Sequence, residues 1–457
     1  MRSGLRFVVA VACVLGLQAV VSCVDVEART SLFCREHPAI CDADAGAHDG
    51  GDAGDGGLDG GDDAGDAGPG GGDDAGDAGP GGGDDAGDAG PGGGDDAGPD
   101  AGRPRWDRAG TPNTARTGHT ATLLADGRVL VVGGFSNSSG TGALTSVEIY
   151  DPNNGGSWTP LPPLQVSRGD HTATLISGGK VLVVGGRSGA TPTKSVELYD
   201  PDSGPSPRPD LPIPARASHG AVLLPDGDEV LVMGGGANAG TGFSDSARYR
   251  VFGGTWSTGS GSMRTERNVL SVTMVLNRVF AVGGYNLNRT ESSYDVYTPG
   301  TGWSPVGGPL LERRHAHAAA VIGQGELTAQ LLVTGGKRGD GSGSVIASAA
   351  AEVIPTEEGS GNVSIPMEVM FDARFAHTAT TLTSGDVLVV GGSEADYDSL
   401  SSVELFDSNL LAWVLRPALT TARAGHTATL LDDGSVLVIG GHGSNGAALR
   451  SAERYWP

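Results

Sequence analysis

The chain has 457 residues and a formal net charge of −24 at pH 7, but the charge is unevenly distributed. The stretch from Asp42 to Asp100 contains 18 Asp and no Lys or Arg, whereas the part from Arg103 onwards carries only −7. No basic stripe or mixed basic and aromatic cluster occurs, which argues against nucleic acid as a partner. About 355 residues remain for a folded region, which is enough for a large core.

The N-terminus is typical of an exported protein. Two arginines precede an uncharged, mostly apolar run of 15 residues, Phe7–Val21, which is too short to span a bilayer and typical of a signal peptide. The run ends at Ser22-Cys23, and this boundary resembles a bacterial lipobox. The resemblance implies that residues 1–22 are removed, that Cys23 carries lipid, and that Val24 directs export to the outer membrane or surface of a Gram-negative-type cell. The alternative is ordinary signal-peptide cleavage nearby, with Cys23 incidental.

Residues 23–48 contain two further cysteines, Cys34 and Cys41, in the segment CREHPAIC. We expect a disulfide between them in an oxidising compartment. A metal site that recruits His37 is the alternative, but it lacks a fourth ligand.

Residues 49–103 form a Gly, Asp, Ala and Pro-rich linker in which GDDAGDAGPGG recurs every 11 residues. Such a composition has almost no apolar surface to bury, so we expect a disordered spacer. Calcium-binding β-rolls have related glycine and aspartate repeats, but the apolar residue that each turn of such a roll needs is missing here.

From residue 104 to 457 an apolar run that ends in two glycines occurs seven times, at spacings of 49 to 56 residues. The pairs are Gly133-Gly134, Gly185-Gly186, Gly234-Gly235, Gly283-Gly284, Gly335-Gly336, Gly391-Gly392 and Gly440-Gly441. Each repeat predicts four strands. The second strand, such as VLVV, is uniformly apolar and predicts burial on both faces. The third, such as SVEIYD, alternates and predicts one solvated face.

The diglycine and the aromatic residues beyond it resemble the kelch repeat of β-propellers. The aromatic pairs that match are Tyr150 with Trp158, Tyr249 with Trp256, Tyr297 with Trp303 and Phe406 with Trp413. The second repeat lacks the tryptophan and the fifth lacks both aromatics. The resemblance implies an all-β fold, a seven-bladed kelch-type β-propeller with four antiparallel strands per blade. The last repeat ends after Tyr455, so we expect the segment around Trp106 to complete its blade.

Six histidines recur at one position of the repeat, three residues after an arginine. They are His119, His171, His219, His317, His377 and His426, and the fourth repeat has Leu270 nearby. A residue that recurs in almost every blade is expected to have a structural role, such as satisfying backbone groups where the first strand begins. The alternative is a ring of metal or anion ligands around the channel.

The kelch resemblance includes galactose oxidase, whose copper-radical site needs a Cys–Tyr crosslink, but no cysteine follows Cys41. We find no paired carboxylates, G-x-S-x-G, P-loop or H-E-x-x-H motif, and expect no cofactor or metal. The sequence therefore favours a monomer that binds a protein or glycan through its loops without catalysis. A carbohydrate-active enzyme at the channel mouth and a structural envelope component are the alternatives. Candidate contact residues lie in the irregular loops: Arg313–His317, Gly323–Gln330, Arg338-Gly339-Asp340, Asn286–Arg289 and Tyr397.

Overall fold

The computed structural model describes residues 102–238, 240–259, 261–304, 307–323, 329–339, 345–356, 363–395 and 398–457. The predicted signal peptide, Cys23, the Cys34–Cys41 disulfide and nearly all of the 49–103 linker lie outside the described residues, as do Asp340, Tyr397 and most of 323–330. Within the described ranges, no helix is long and apolar enough to cross a membrane.

The fold is a seven-bladed β-propeller in which each blade is an antiparallel sheet built around four strands. Blade I comprises Thr120–Leu123, Val129–Val132, Val147–Asp151 and Ser157–Leu161, and blade II comprises Thr172–Ile176, Lys180–Val184, Val196–Asp200 and Gly204–Arg208. Blade III comprises Gly220–Leu223, Glu229–Met233, Phe243–Arg250 and Thr255–Ser257, with Ser262–Arg267 also paired to its third strand. Blade IV comprises Ser271–Val275, Arg278–Val282, Ser293–Thr298 and Gly302–Trp303, with Gly308–Pro309 added.

The remaining blades follow the same order. Blade V comprises Ala318–Ile322, Gln330–Thr334, Ala351–Ile354 and Ile365–Pro366. Blade VI comprises Thr378–Thr381, Val387–Val390, Val403–Asp407 and Ala412–Arg416. Blade VII comprises Thr427–Leu430, Val436–Ile439, Ala452–Trp456 and, from the start of the propeller, Arg105–Arg108.

Four of the loops between second and third strands form small hairpins of their own. Their strands are Arg187–Ser188 with Thr191–Pro192, Tyr285–Asn286 with Arg289–Thr290, Lys337–Gly339 with Val345–Ala347, and Ser393–Ala395 with Asp398–Ser399. These hairpins belong to blades II, IV, V and VI.

The first strands of the blades form a closed ring, because each contacts the first strand of the next blade and that of blade VII contacts that of blade I. Their side chains are only partly buried, as expected for strands that line a central channel. The second strands are wholly buried, as predicted; Val129–Val132 and Val436–Ile439 are examples. Apolar clusters form between neighbouring blades, for example Leu130 and Val132 with Val181 and Val183.

The ring closes as the sequence predicts. Arg105–Arg108 pairs with Ala452–Trp456 and places Trp106 opposite Tyr455, with the ring centroids 5.2 Å apart. The indole N–H of Trp106 also donates to the Pro417 carbonyl at 2.7 Å. The N-terminal strand therefore supplies the outer strand of the last blade and links both ends of the propeller.

The prediction that one face of the third strands is solvated is wrong. Glu148 of blade I and Glu404 of blade VI are only 1% and 0% exposed. Each carboxylate is paired with a buried arginine and accepts backbone N–H groups, so the alternation of Val and Glu separates an apolar face from a buried, hydrogen-bonded one.

In blades such as I, III and VI, the tryptophan of the fourth strand donates a hydrogen bond to a carbonyl in the connection that follows the preceding blade. Two blades lack this tryptophan, and another side chain bonds the carbonyl there. In blade VI the indole N–H of Trp413 donates to the Glu368 carbonyl at 2.7 Å. In blade II the hydroxyl of Tyr199 donates to Pro162 at 2.8 Å, and in blade V the hydroxyl of Ser364 donates to Pro309 at 3.0 Å. A hydrogen bond to the preceding connection is thus kept where the aromatic residue is lost.

Candidate functional site

Each blade holds one fully buried arginine, whose side chain bonds both the diglycine and the third strand. Its guanidinium donates to the carbonyl of the first glycine of the diglycine at 2.5–2.8 Å and pairs with the carboxylate on the third strand. The pairs are Arg116–Glu148, Arg168–Glu197, Arg216–Asp245, Arg267–Asp295, Arg314–Glu352, Arg374–Glu404 and Arg423–Glu453. Burial lowers the pKa of Arg116 while Glu148 opposes that shift. These bonds fix the diglycine to the third strand inside each blade.

The same arginines also connect neighbouring blades through their backbone. The N–H of the second glycine of each diglycine donates to the carbonyl of the arginine in the following blade, at 2.8–3.0 Å. Gly441 closes the circle by donating to Arg116. The second glycine has positive φ throughout, and a Cβ on Gly441 would lie 2.6 Å from the Ala424 carbonyl. Only glycine allows this close approach.

The six repeated histidines are buried and bond a hydroxyl of the preceding blade through Nε2. The pairs are His119–Thr427, His171–Thr120, His219–Thr172, His317–Ser271, His377–Thr334 and His426–Thr378, at 2.8–3.0 Å. Burial lowers the pKa of each histidine, to about 3 for His219 and His426. The bonds join side chains, whereas the sequence suggested backbone groups. Each Nε2 is thus already engaged with the neighbouring blade, which is the geometry of a contact between blades.

The interface between blades III and IV lacks both members of this bond. Gly220 stands where the other first strands begin with Thr, Ser or Ala, and a Cβ there would meet Val272 at 2.1 Å. Leu270 replaces the histidine and packs in an apolar cluster with Met233 and Met263. Hydroxyl and imidazole have been lost together, so the interface is satisfied without either.

The residue before each histidine, or before Leu270 in blade IV, completes a hydrogen-bonded circle at one end of the channel. These residues are Gly118, Asp170, Ser218, Val269, Ala316, Ala376 and Gly425, all with φ between 49° and 61°. The N–H of each donates to the carbonyl of its counterpart in the preceding blade at 2.8–3.3 Å. We call this end the upper mouth. Left-handed backbone at five residues other than glycine is costly, and the closed circle holds it in place.

Residues that differ between blades surround the upper mouth. In each blade the residue that follows the diglycine forms a backbone bridge with the residue that follows the buried arginine. We call the residues that follow the diglycines the rim residues. They are Phe135, Arg187, Gly236, Tyr285, Lys337, Ser393 and His442. The backbone is the same in every blade at these positions while the side chains are not. The upper mouth is therefore where the repeat presents blade-specific chemistry.

A cavity of about 590 Å³ opens beside the upper mouth, lined by residues of blades I to V. On one side the guanidinium of Arg187 lies 4.6 Å from the ring centre of Phe135, and its Nε donates to Asp170 Oδ2 at 2.7 Å. Burial raises the pKa of the Asp170 carboxyl, and Arg187 works against that shift. The pair is only partly exposed and its two charges compensate each other.

An aromatic pair lines another part of the cavity. The rings of Tyr285 and His315 lie 4.9 Å apart, and His315 Nδ1 is 3.2 Å from the hydroxyl of Thr290. Burial, and then the charge of Lys337, lower the pKa of His315 to about 4. His315 is therefore neutral near pH 7, and the cavity combines an uncharged aromatic surface with the compensated Asp170–Arg187 pair.

Comparison with known proteins agrees with this architecture. The family described as Kelch motif matches residues 116–165 and 168–204, the first two repeats. The chain is a kelch-repeat β-propeller. No curated protein matches the chain.

Among solved structures, the kelch propeller is similar to a fungal alcohol oxidase of the AA5 family in complex with copper. The identity is 17% and the TM-score 0.61, over 77% of this chain and 76% of that one. It is also similar to YjhT, at 13% identity and a TM-score of 0.53, over 67% of this chain and 99% of that one. Identities this low show the fold alone.

The copper of the alcohol oxidase prompts a test of whether this kelch propeller carries suitable ligands. In the described ranges no group of three or more His, Cys, Asp or Glu side chains converges. Tyr285 and His315 are adjacent, but the other side chains that line their cavity are not a copper donor set. The last cysteine in the chain is Cys41, so the propeller has none to crosslink with a tyrosine. The residues present do not fit a copper-radical site.

The loops singled out from the sequence are dispersed in the kelch propeller. Arg314 and His317 of the Arg313–His317 segment belong to the repeated framework, and only His315 lines the cavity. Arg338 pairs with Glu312 at 3.1 Å, and Asn286 donates to Glu266 at 3.1 Å.

Asp170, Arg187 and Tyr285 line the cavity but were not among the residues predicted from the sequence. The available signal was their position beside the repeated Arg, His and diglycine residues, where each blade has a different side chain.

Proposed function

We propose that the propeller binds a glycan, without turning it over, in the cavity at the upper mouth. The observation that carries this proposal is the placement of the Tyr285–His315 aromatic pair and the Asp170–Arg187 pair in one cavity. A sugar ring has an apolar face that packs on aromatic side chains and hydroxyls that need both donors and acceptors. Tyr285 and His315 supply the first, and Asp170 and Arg187 supply the second.

The charges in the cavity favour a neutral glycan over an ionic one. Asp170 and Arg187 already neutralise each other at 2.7 Å, and His315 carries no charge above a pH of about 4. An anionic ligand at Arg187 would lie beside the Asp170 carboxylate, and repulsion between these like charges would oppose its binding. A neutral saccharide hydrogen-bonds to the pair without breaking it.

We further propose that the protein acts at the outer membrane or cell surface, with lipid on Cys23 as its anchor. The 49–103 segment would then separate the propeller at 104–457 from the membrane. The support is the lipobox-like end of the apolar run and the Asp-rich composition that follows it. Palmitate labelling that is lost in Cys23→Ser is the expected result, and labelling that persists in this variant contradicts the anchor.

A carbohydrate-active enzyme is the second candidate, because the similar alcohol oxidase is an enzyme with the same fold over most of the chain. A glycan array with the purified chain, followed by product analysis of each bound glycan, separates the two. Binding without any product supports the proposed function, and turnover supports the enzyme. A protein with no bound glycan at all contradicts both and favours a protein ligand or a structural role.

The variant that tests the site is Tyr285→Ala, which removes half of the aromatic pair. We expect glycan affinity to fall at least tenfold, by the loss of about 1.4 kcal/mol or more of binding free energy. The matched control is His442→Ala, because His442 is the equivalent rim residue of blade VII and does not line the cavity. Equal affinity in the two variants would place the glycan elsewhere.

A further inference from the structure

A second groove, of about 560 Å³, lies between the small hairpins of blades V and VI. It is next to the Tyr285–His315 pair, because Lys337 lines the groove and bridges His315 through its backbone. Its apolar lining comes from Ile346, Ala373 and Phe375, and Ile346 is 56% exposed. The ammonium of Lys337 lies 4.1 Å from the ring centre of Phe375, so the aromatic face is already in contact with a cation. The groove therefore combines apolar side chains with the charged groups of Lys337, Glu394 and Asp398.

Exposed apolar side chains also occur in the connections that lead into blades V and VI. Leu311 and Phe371 occupy equivalent positions, three residues before the buried arginines of blades V and VI, and are 53% and 56% exposed. The same position holds Asn113, Gln165, Arg264 and Thr420 in four other blades and a buried Ile213 in blade III. Of the twelve large apolar residues exposed in the described part of the chain, six lie between 311 and 371. Exposed apolar side chains are therefore more frequent in blade V and its two connections than elsewhere in the described part of the chain.

Two exposed carboxylates, Glu394 and Asp398, border the groove on the blade VI hairpin. Among the described residues neither forms an ion pair. With Lys337 they give the border a net negative charge, while the groove itself offers apolar surface. A ligand that complements both features is apolar and carries a positive charge.

We propose that this groove docks a peptide segment of a partner protein that presents an apolar side chain beside Lys or Arg. The apolar side chain packs against Ile346 and Phe375, and the cation pairs with Glu394 and Asp398. Peptide segments commonly bind through such side-chain anchors. The groove and the glycan cavity share no lining residue, so the protein has two adjacent ligand sites on the face that carries the hairpins.

The test is selection of a displayed library of random twelve-residue peptides on the purified full chain, followed by fluorescence anisotropy with the most enriched peptide. We expect enriched peptides to combine an aliphatic or aromatic residue with Lys or Arg. The double variant Glu394→Lys, Asp398→Lys should bind the enriched peptide at least tenfold more weakly, and Ile346→Ser about fivefold more weakly. A peptide in which Glu replaces the basic residue should bind the double variant better than the parent chain.

The controls are Leu415→Ser, which removes an apolar side chain that is 51% exposed on the outer strand of blade VI, and Asp210→Lys, which reverses an exposed charge in blade II. Both should bind the peptide as the parent chain does. All five changed positions are exposed, so folding should be preserved. The proposal is overturned if no peptide is enriched, if enriched peptides lack basic residues, or if the groove variants bind like the controls. It is also overturned if sedimentation shows a dimer that Ile346→Ser dissociates, because the groove is then covered by a second copy of the chain.

Discussion

His377 of blade VI bonds Thr334 of blade V, with His377 Nε2 and Thr334 Oγ1 2.8 Å apart. Each of the other five histidines bonds the residue that begins the first strand of the preceding blade. Blade V has Ala318 at that position. Ala318 and Thr334 are cross-strand partners, so the hydroxyl has moved to the neighbouring strand and still reaches the histidine. The bond, and not a particular residue, is what the interface between these blades retains.

Replacement of Thr334 by Val should therefore destabilise the propeller. The change is close to isosteric but leaves the buried His377 Nε2 without its partner, which costs about 1–3 kcal/mol of unfolding free energy. The double variant Thr334→Val, Ala318→Thr restores a hydroxyl at the position that blades I and II use, and should recover most of the loss. Urea unfolding at pH 7 measures both. A single variant as stable as the parent, or a double variant no better than the single, contradicts this account.

The buried arginine pairs should differ in their contribution according to the exposure of the acid. Glu404 is fully buried and accepts the N–H groups of Phe371 and Asp372 in addition to pairing with Arg374. Glu404→Gln removes the buried carboxylate from this guanidinium. The remaining acid, Asp372 at 3.5 Å, is 41% exposed, so the cost should approach the roughly 3–5 kcal/mol of a broken buried pair. The carboxylate of the Arg216–Asp245 pair is 34% exposed. Water can therefore reach this site and partly solvate the charge of Arg216 when the carboxylate is removed.

We therefore expect Asp245→Asn to cost at least 2 kcal/mol less than Glu404→Gln, a difference of the size that separates buried from exposed pairs. Chemical denaturation of the two variants in one buffer gives the comparison. Equal losses would mean that the carboxylate's burial is not what determines its contribution.

These pairs also mark the limit of what the sequence alone predicts. The seven blades were predictable because each second strand is an uninterrupted apolar run that ends in a diglycine. The burial of Glu148 was not, because it depends on Arg116, which lies 32 positions away on another segment and pairs with it only in the folded chain.

The candidate site was less predictable still. Asp170, Arg187, Tyr285 and His315 come from three different blades. The repeat marks their positions, beside the diglycine, the arginine and the histidine, but it does not show which blades contribute side chains to one cavity. A repeat reveals what all blades share, whereas a binding site depends on what they do not share.

The buried histidines should make the propeller less stable below neutral pH. Their folded-state pKa is lowered, to about 3 for His219, while the unfolded value is about 6.5. Their stabilising contribution is therefore complete above the unfolded pKa and is lost as the pH falls towards the folded one. Between pH 6.5 and 5 the unfolded chain binds protons that the native chain does not, and each such histidine lowers the unfolding free energy by about 1.4 kcal/mol per pH unit.

The variant His219→Leu tests this dependence, because Leu270 shows that leucine is accommodated at the equivalent position of blade IV. Its unfolding free energy should change less steeply with pH than that of the parent. The difference should be about half a proton between pH 7 and 6 and should approach one proton, about 1.4 kcal/mol per unit, between pH 6 and 5. Urea titrations at pH 7, 6 and 5 give the slope. If the slope of the variant equals that of the parent, His219 is not neutral in the folded state.

The N-terminal strand should be essential to the stability of the last blade, although it lies more than 300 residues away in the sequence. Trp106 packs on Tyr455, and its indole N–H satisfies the Pro417 carbonyl. Trp106→Ala removes both interactions and should cost about 2–3 kcal/mol, less than a fully buried tryptophan would, because Trp106 is half-buried. Trp106→Phe keeps the ring contact but not the hydrogen bond, and should lose about 1 kcal/mol.

The control is Leu415→Ala, at an exposed position of the neighbouring outer strand, which should change the stability little. Thermal unfolding followed by strand circular dichroism ranks the three variants, and an unchanged midpoint in Trp106→Ala would mean that the closure does not stabilise the ring.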